Sequence, residues 1–127
     1  MAVKTVWASS YTASTSLDLN VVRVVTSQKV PSWWMADHRM FLDEATPDGY
    51  TRNAQDWQVA YKAQVGPFIG EIWERLPASC VLLCHEKSWH DCHRKVLWEM
   101  LREHAGEDCR GGSWGSGRLM PRLPLLF

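Results

Sequence analysis

The sequence predicts an α/β protein: a small three-layer, Rossmann-like fold in which helices cover a mostly parallel sheet. Three observations carry that expectation. β-branched, mostly apolar runs at Val3 to Ala8 and Val21 to Thr26, and the fully apolar run Cys80 to Cys84, read as strands buried on both faces. Long segments with helical patterning separate the second run from the third and follow the third. Connections of that length are what parallel strands require, since a parallel pair cannot be closed by a tight turn.

The elements follow in order. After the first strand comes Ser9-Ser10-Tyr11-Thr12, a hydroxyl-rich exit from the sheet, and the second strand closes before Pro31-Ser32. From there the spacing predicts a helix over Trp34 to Glu44 with Ser32 as its cap, ended by the turn signal Pro47-Asp48-Gly49. Ala54, Trp57, Tyr61, Val65, Phe68, Ile72 and Leu76 recur at three- and four-residue steps, giving one apolar stripe from Asn53 to Leu76. Gly66-Pro67 should kink or split it. The breaker Pro77-Ala78-Ser79 precedes the third strand, and a last helix runs from Cys92 or His93 to His104 on Leu97, Met100 and Leu101, with Gly106 as its stop. No internal repeat is visible.

Domain organisation follows from size and composition. A chain of 127 residues with 46% hydrophobic and 22% charged residues has the proportions of one globular core. That core is expected over residues 1–109, leaving 110–127 as an irregular Gly- and Pro-rich tail with three arginines and no acid. Its apolar end, Leu123-Pro124-Leu125-Leu126-Phe127, is expected to dock on this domain or on a neighbour. Fourteen basic residues balance fourteen acidic ones, so no bulk field draws the chain to nucleic acid or to an anionic membrane, and any anion site must be local. There is no basic start followed by an apolar stretch and no apolar run near the ~18 residues of a membrane span, so a soluble, unexported, cytoplasmic protein is expected. In that reducing compartment Cys80, Cys84, Cys92 and Cys109 read as thiols, ligands or core residues.

The chemistry concentrates in Leu82-Leu83-Cys84-His85-Glu86-Lys87-Ser88-Trp89-His90-Asp91-Cys92-His93-Arg94. A buried strand ends, a polar loop follows and a helix begins, which is the edge where parallel α/β folds bind ligands. The amino end of that helix attracts phosphate or carboxylate, and the same field would lower the Cys92 thiol. Arg94, in the first turn and off the Leu97, Met100 and Leu101 stripe, reads as a surface residue that adds a bidentate fork, and His93 as an outward-facing proton carrier or a surface filler. Structural alternatives stand beside each reading: Cys80 and Cys84 as core, Cys92 as an ordinary helix-start residue, and Glu86 as an ion-pair partner of Arg94. No metal is expected, because Cys84, His85, His90, Cys92 and His93 lack the paired spacing of a closed zinc site, although a small zinc domain stays a third possibility. His38 and His104 fall in helical patterns and read as packing or solvated groups. Of the eight tryptophans, Trp57 and Trp73 belong to the middle helical region, whereas Trp33, Trp34, Trp89 and Trp114 read as base-stacking faces or as hydrophobic lids.

The motif Leu-Leu-Cys-x-Glu followed by Cys-His-Arg at a helix start resembles the domain-of-unknown-function family numbered 488, in its short phage and bacterial branch. Ser10-Tyr11, Pro31-Ser32-Trp33 and Tyr61 extend the resemblance over roughly residues 3–105. Trp7-Ala8-Ser9-Ser10 departs from the Thr-x-Gly-x-Ser loop of many relatives. Taken with the residues themselves, this leads to an expected pocket for a nucleotide or other phosphorylated small molecule. In it Arg94 and the helix end hold phosphate, while Glu86, Cys92 and His93 form the catalytic set. Ser9, Ser10, Tyr11 and Trp33 position the substrate. Transfer or hydrolysis at a glycosidic or phosphoryl centre fits that set, with no cofactor. The alternative is a non-catalytic module in which the Cys, Glu and Arg side chains staple loop to helix, and the tryptophans and basic tail engage protein or nucleic acid.

Overall fold

The computed structural model describes residues 2–18, 20–27, 29–34, 39–84 and 93–114, with Cys84 described by its backbone. Among these residues there are five strands and four α-helices, in the order β1 (Lys4–Ser10), β2 (Val22–Val25), β3 (Arg39–Phe41), α1 (Gly49–Asn53), α2 (Trp57–Val65), α3 (Ile69–Arg75), β4 (Ser79–Cys84), α4 (His93–Ala105) and β5 (Cys109–Ser113). The strands form one sheet in the order β3-β2-β4-β1-β5, and every pairing is parallel. The α/β, parallel-sheet, Rossmann-like reading therefore holds. Among the described residues no helix is long and apolar enough to cross a membrane.

The strand order dictates the layers. The chain steps one way across the sheet from β1 to β2 to β3, then the other way from β3 to β4 to β5. Right-handed crossovers must put the first pair of connections on one face and the second pair on the other. The core divides accordingly. Val6, Ala8, Val24, Cys80 and Leu82 pack with Tyr61, Val65, Ile72, Trp73, Leu76, Val96, Leu97, Trp98 and Leu101 of the helical face. Val25, Val81 and Leu83 point the other way, against Tyr11, Leu17, Val21 and Trp34. Among the described residues that second face carries no α-helix, only the one-turn helix Ala13–Ser16 and the irregular residues 29–34. The third layer is thus thinner than expected. Its turn is held from inside by Arg23, whose buried guanidinium donates to the carbonyls of Ser14 (3.0 Å), Leu17 (3.2 Å), Asp18 (2.8 Å) and Val21 (2.6 Å).

Three expectations are corrected. The helix over Trp34 to Glu44 is absent from its described part: Arg39–Phe41 is a parallel edge strand and Asp43–Ala45 a single 3-10 turn, while residues 35–38 lie outside the described residues. Pairing wins there because Met40 faces the helical core while Arg39 and Phe41 face away, and the Leu42 N–H donates to Val25 O at 3.0 Å. The long stripe does split at Gly66-Pro67, but its helix begins at Trp57, where the Asp56 carboxylate accepts from the Val59 N–H, and Pro47-Asp48-Gly49 opens α1 with Asp48 as its cap. Finally, the boundary at 109/110 runs through β5, so residues 110–113 belong to the sheet rather than to an irregular tail.

β5 reads as a loop because of Gly111 and Gly112, yet Gly111 serves close packing. It sits at φ +103°, and a Cβ there would lie 2.3 Å from Val6 O, the carbonyl that also accepts the buried Trp98 indole N–H at 2.7 Å. Gly111→Ala should therefore cost at least about 2 kcal/mol in chemical denaturation, from backbone strain and displacement of β1. Gly66→Ala is the control. At φ −47° with nothing within 4 Å of the added methyl, it should be neutral or stabilising by roughly 0.5 kcal/mol.

Candidate functional site

β4 lies between β2 and β1, and its carboxyl end is where the chain leaves the sheet in opposite directions: from β2 toward β3 and from β4 toward β5. That divergence is the topological switch at which open α/β sheets form their crevice. Tyr11 follows β1, Thr26 and Ser27 follow β2, and His93 and Arg94 open α4 at the same edge. Glu86 and Cys92, together with the Cys84 side chain, lie outside the described residues.

The helical side of the edge is built on Thr26. Its N–H (3.2 Å) and its hydroxyl (2.8 Å) both donate to Leu83 O, which fastens the end of β2 to β4. His93 then reaches back: Nε2 lies 2.8 Å from Thr26 O and 3.0 Å from Thr26 Oγ1. A carbonyl only accepts, so the proton of this contact sits on Nε2, and the Thr26 hydroxyl, having given its own proton to Leu83, accepts as well. The ring also meets Tyr61 edge-on at 5.4 Å, and Tyr61 Oη donates to Ala45 O at 2.6 Å. His93 therefore ties the start of α4 to the end of β2, in place of the outward-facing proton carrier that the sequence allowed.

On the opposite face Tyr11 is buried against Trp34, ring to ring at 5.2 Å, and its hydroxyl meets Ser27 Oγ at 2.7 Å. Because β2 and β1 flank β4, this contact bridges the exits of β1 and β2 across the β4 end. Burial raises the Tyr11 phenol, and the Ser27 hydrogen bond only partly offsets it, so Tyr11 is a hydrogen-bonding group and not a base near neutrality. Ser9 and Ser10 are occupied locally. Ser9 Oγ donates to Ser10 O at 3.0 Å, and Ser10 Oγ accepts from the Ala13 N–H at 3.1 Å, anchoring the turn that follows. Trp33 stays at the surface, 53% exposed, while its neighbour Trp34 is buried.

The structure thus brings Ser9, Ser10, Tyr11, His93 and Arg94 to one edge, on both sides of β4, and leaves Trp33 at the surface. Arg94 is only 2% exposed, which overturns its reading as a surface residue of the first turn. Thr26, Ser27 and Tyr61 complete the edge. Only the strand-end hydroxyl pair, parallel to Ser9-Ser10, marks the first two in the sequence. No protein-family model, curated protein or solved structure matches the chain. The site accordingly rests on its own geometry. Away from it, burial pushes the Cys80 and Cys109 thiols up to about 12, so both are core groups and not nucleophiles.

Two outcomes follow. Arg94→Ala should lower stability by about 2–4 kcal/mol, since it removes a buried side chain and strands the polar groups around it. Lys95→Ala, which breaks only the partly exposed Lys95–Glu99 pair at 2.8 Å, should stay within roughly 0.5 kcal/mol; Arg102 is the poorer control, as it donates to Cys109 O at 3.1 Å. The second concerns pH. The unfolded thiols of Cys80 and Cys109 ionise near 9.0 while the folded ones hold their protons up to about 12, so the folded state binds more protons in that window. Denaturation midpoints should hold steady below about pH 9 and fall as pH rises above it, with buried Tyr61 and Tyr11 adding to the decline above about 10.

Proposed function

We propose that this chain is a cytoplasmic nucleotide-binding protein of the domain-of-unknown-function 488 type, and that its ligand is a nucleotide or similar phosphorylated small molecule held at the β4 end. The observation that carries the reading is the divergence of the chain between β2 and β4, with a helix amino end, a buried arginine and several hydroxyls gathered there. Phosphate is bound by the start of α4 with Arg94, whose buried guanidinium is electrostatically strong in a dry setting. Glu86 acts as general acid or base and Cys92 assists, in transfer or hydrolysis at a glycosidic or phosphoryl centre. His93 is a positioning residue in this scheme, because its Nε2 already holds Thr26.

A second reading, a non-catalytic interaction module, is favoured by the local engagement of the Ser9, Ser10 and His93 groups. One experiment separates the two. Thermal unfolding is measured with a panel of nucleoside mono- and diphosphates, sugar phosphates and inorganic phosphate. A ligand at about 100 times its Kd should add about 2.7 kcal/mol and raise Tm by at least about 5 °C. Glu86→Gln should keep the shift while abolishing turnover of the stabilising compound. If no phosphorylated compound moves Tm, the interaction-module reading replaces the proposal.

A further inference from the structure

At the carboxyl edge of the sheet the hydroxyls of Ser9, Tyr11, Thr26 and Ser27 all have their protons committed inside the protein. Ser27 Oγ donates to Lys29 O at 2.9 Å. A hydroxyl has a single proton, so in the 2.7 Å contact with Tyr11 Oη the serine accepts and the phenol donates. Thr26 Oγ1 gives its proton to Leu83 O at 2.8 Å, and Ser9 Oγ gives its own to Ser10 O at 3.0 Å. Ser10 Oγ is used as an acceptor, by the Ala13 N–H at 3.1 Å. Ser9, Tyr11 and Thr26 are buried, whereas Ser27 is half-buried.

Ser27 therefore meets a ligand as an acceptor. Its oxygen takes one hydrogen bond from Tyr11 and has room for one more, which only a donor can fill. An ionised phosphate or carboxylate carries only lone pairs, so placing one against Ser27 sets two acceptors face to face or breaks the bond to Lys29 O. Lys29 brings its carbonyl to this wall, and its side chain is exposed. The start of α4, on the helical side of the β4 end, has the opposite character, since helix N–H groups and the Arg94 guanidinium are donors. We propose that Ser27 sets the specificity of the crevice by accepting from a hydroxyl of the ligand. The favoured class is then a phosphomonoester with a hydroxyl-bearing remainder, a pentose phosphate or a nucleoside monophosphate. This rests on the reading of the β4 end as a phosphate site and adds the direction in which the ligand lies, phosphate toward α4 and sugar toward the exits of β1 and β2. Polyphosphates and phosphorylated acids are disfavoured, because their remainder presents acceptors to an accepting wall.

The test measures dissociation constants of the full chain for ribose 5-phosphate, propyl phosphate and phosphoglycolate. These share a phosphomonoester and differ at the other end, which offers donors, no polar group and a carboxylate respectively. Ribose 5-phosphate should bind about tenfold more tightly than either of the others, the worth of one hydrogen bond made to a site built for it. Ser27→Ala should erase that margin and leave propyl phosphate within about twofold of the parent. Thr15→Ala is the control, since its exposed hydroxyl serves only Thr12 O at 2.8 Å, and it should keep the margin. Equal binding of the ribose and propyl esters, tighter binding of phosphoglycolate, or a margin that survives Ser27→Ala overturns this inference and leaves the phosphate reading standing. Failure of all three esters to bind overturns both.

Discussion

The described structure is arranged around a strand whose centre, Cys80 to Leu83, no water reaches. β4 is bonded to β1 on one side and β2 on the other, with Cys80 and Leu82 facing the helices and Val81 and Leu83 facing the thin layer. A strand buried on both faces has to be apolar along its length, and its backbone groups have to be met by neighbours, since an unpaired one would cost about 1–3 kcal/mol. That requirement relaxes only where the strand runs out. There the Leu83 carbonyl is taken up twice by Thr26, through its N–H and its hydroxyl, and polar groups gather beside the end of the strand.

The walls of that place are secured by different means on the two sides. His93 and Thr26 join α4 to β2 through an imidazole and a hydroxyl, while Tyr11 and Ser27 join the exits of β1 and β2 through two hydroxyls. Both ties end on the residues that follow β2, a strand of four residues whose one buried cation, Arg23, holds four carbonyls of the chain that leads into it. A short strand is thus held by polar attachments at both of its ends in addition to its own pairing.

Legibility in the sequence followed the range of the interactions involved. β1, β2 and β4 were visible because an apolar, β-branched run carries its own evidence, and α4 because Leu97 and Leu101 recur within a turn. β3 was not, since Arg39-Met40-Phe41 is too short to show a period of two and its strand character comes from Val24 and Val25 alongside. β5 was misread because glycine marks turns far more often than close approach to a neighbouring carbonyl. At the site, the edge was readable from a strand-to-helix transition. The partner of His93 was not, because Thr26 stands 67 residues away and nothing local distinguishes an imidazole that ties from one that transfers protons. Arg94 fell off the apolar stripe of its helix and so looked exposed, yet the first turn is where a helix meets the sheet edge and can bury a residue on any side.

That difference bears on the chemistry. A residue that moves protons in a catalytic cycle must exchange partners, and exchanging the partner of His93 Nε2 would release the start of α4 from β2 together with whatever α4 positions. Conserving the tie keeps the helix amino end aimed at the same point through a reaction, which is what electrostatic preorganisation demands of an anion site. The histidine of the Cys-His-Arg motif is then the fixed member. In the proposed function this leaves the proton work to Glu86 and Cys92, and the charge to Arg94.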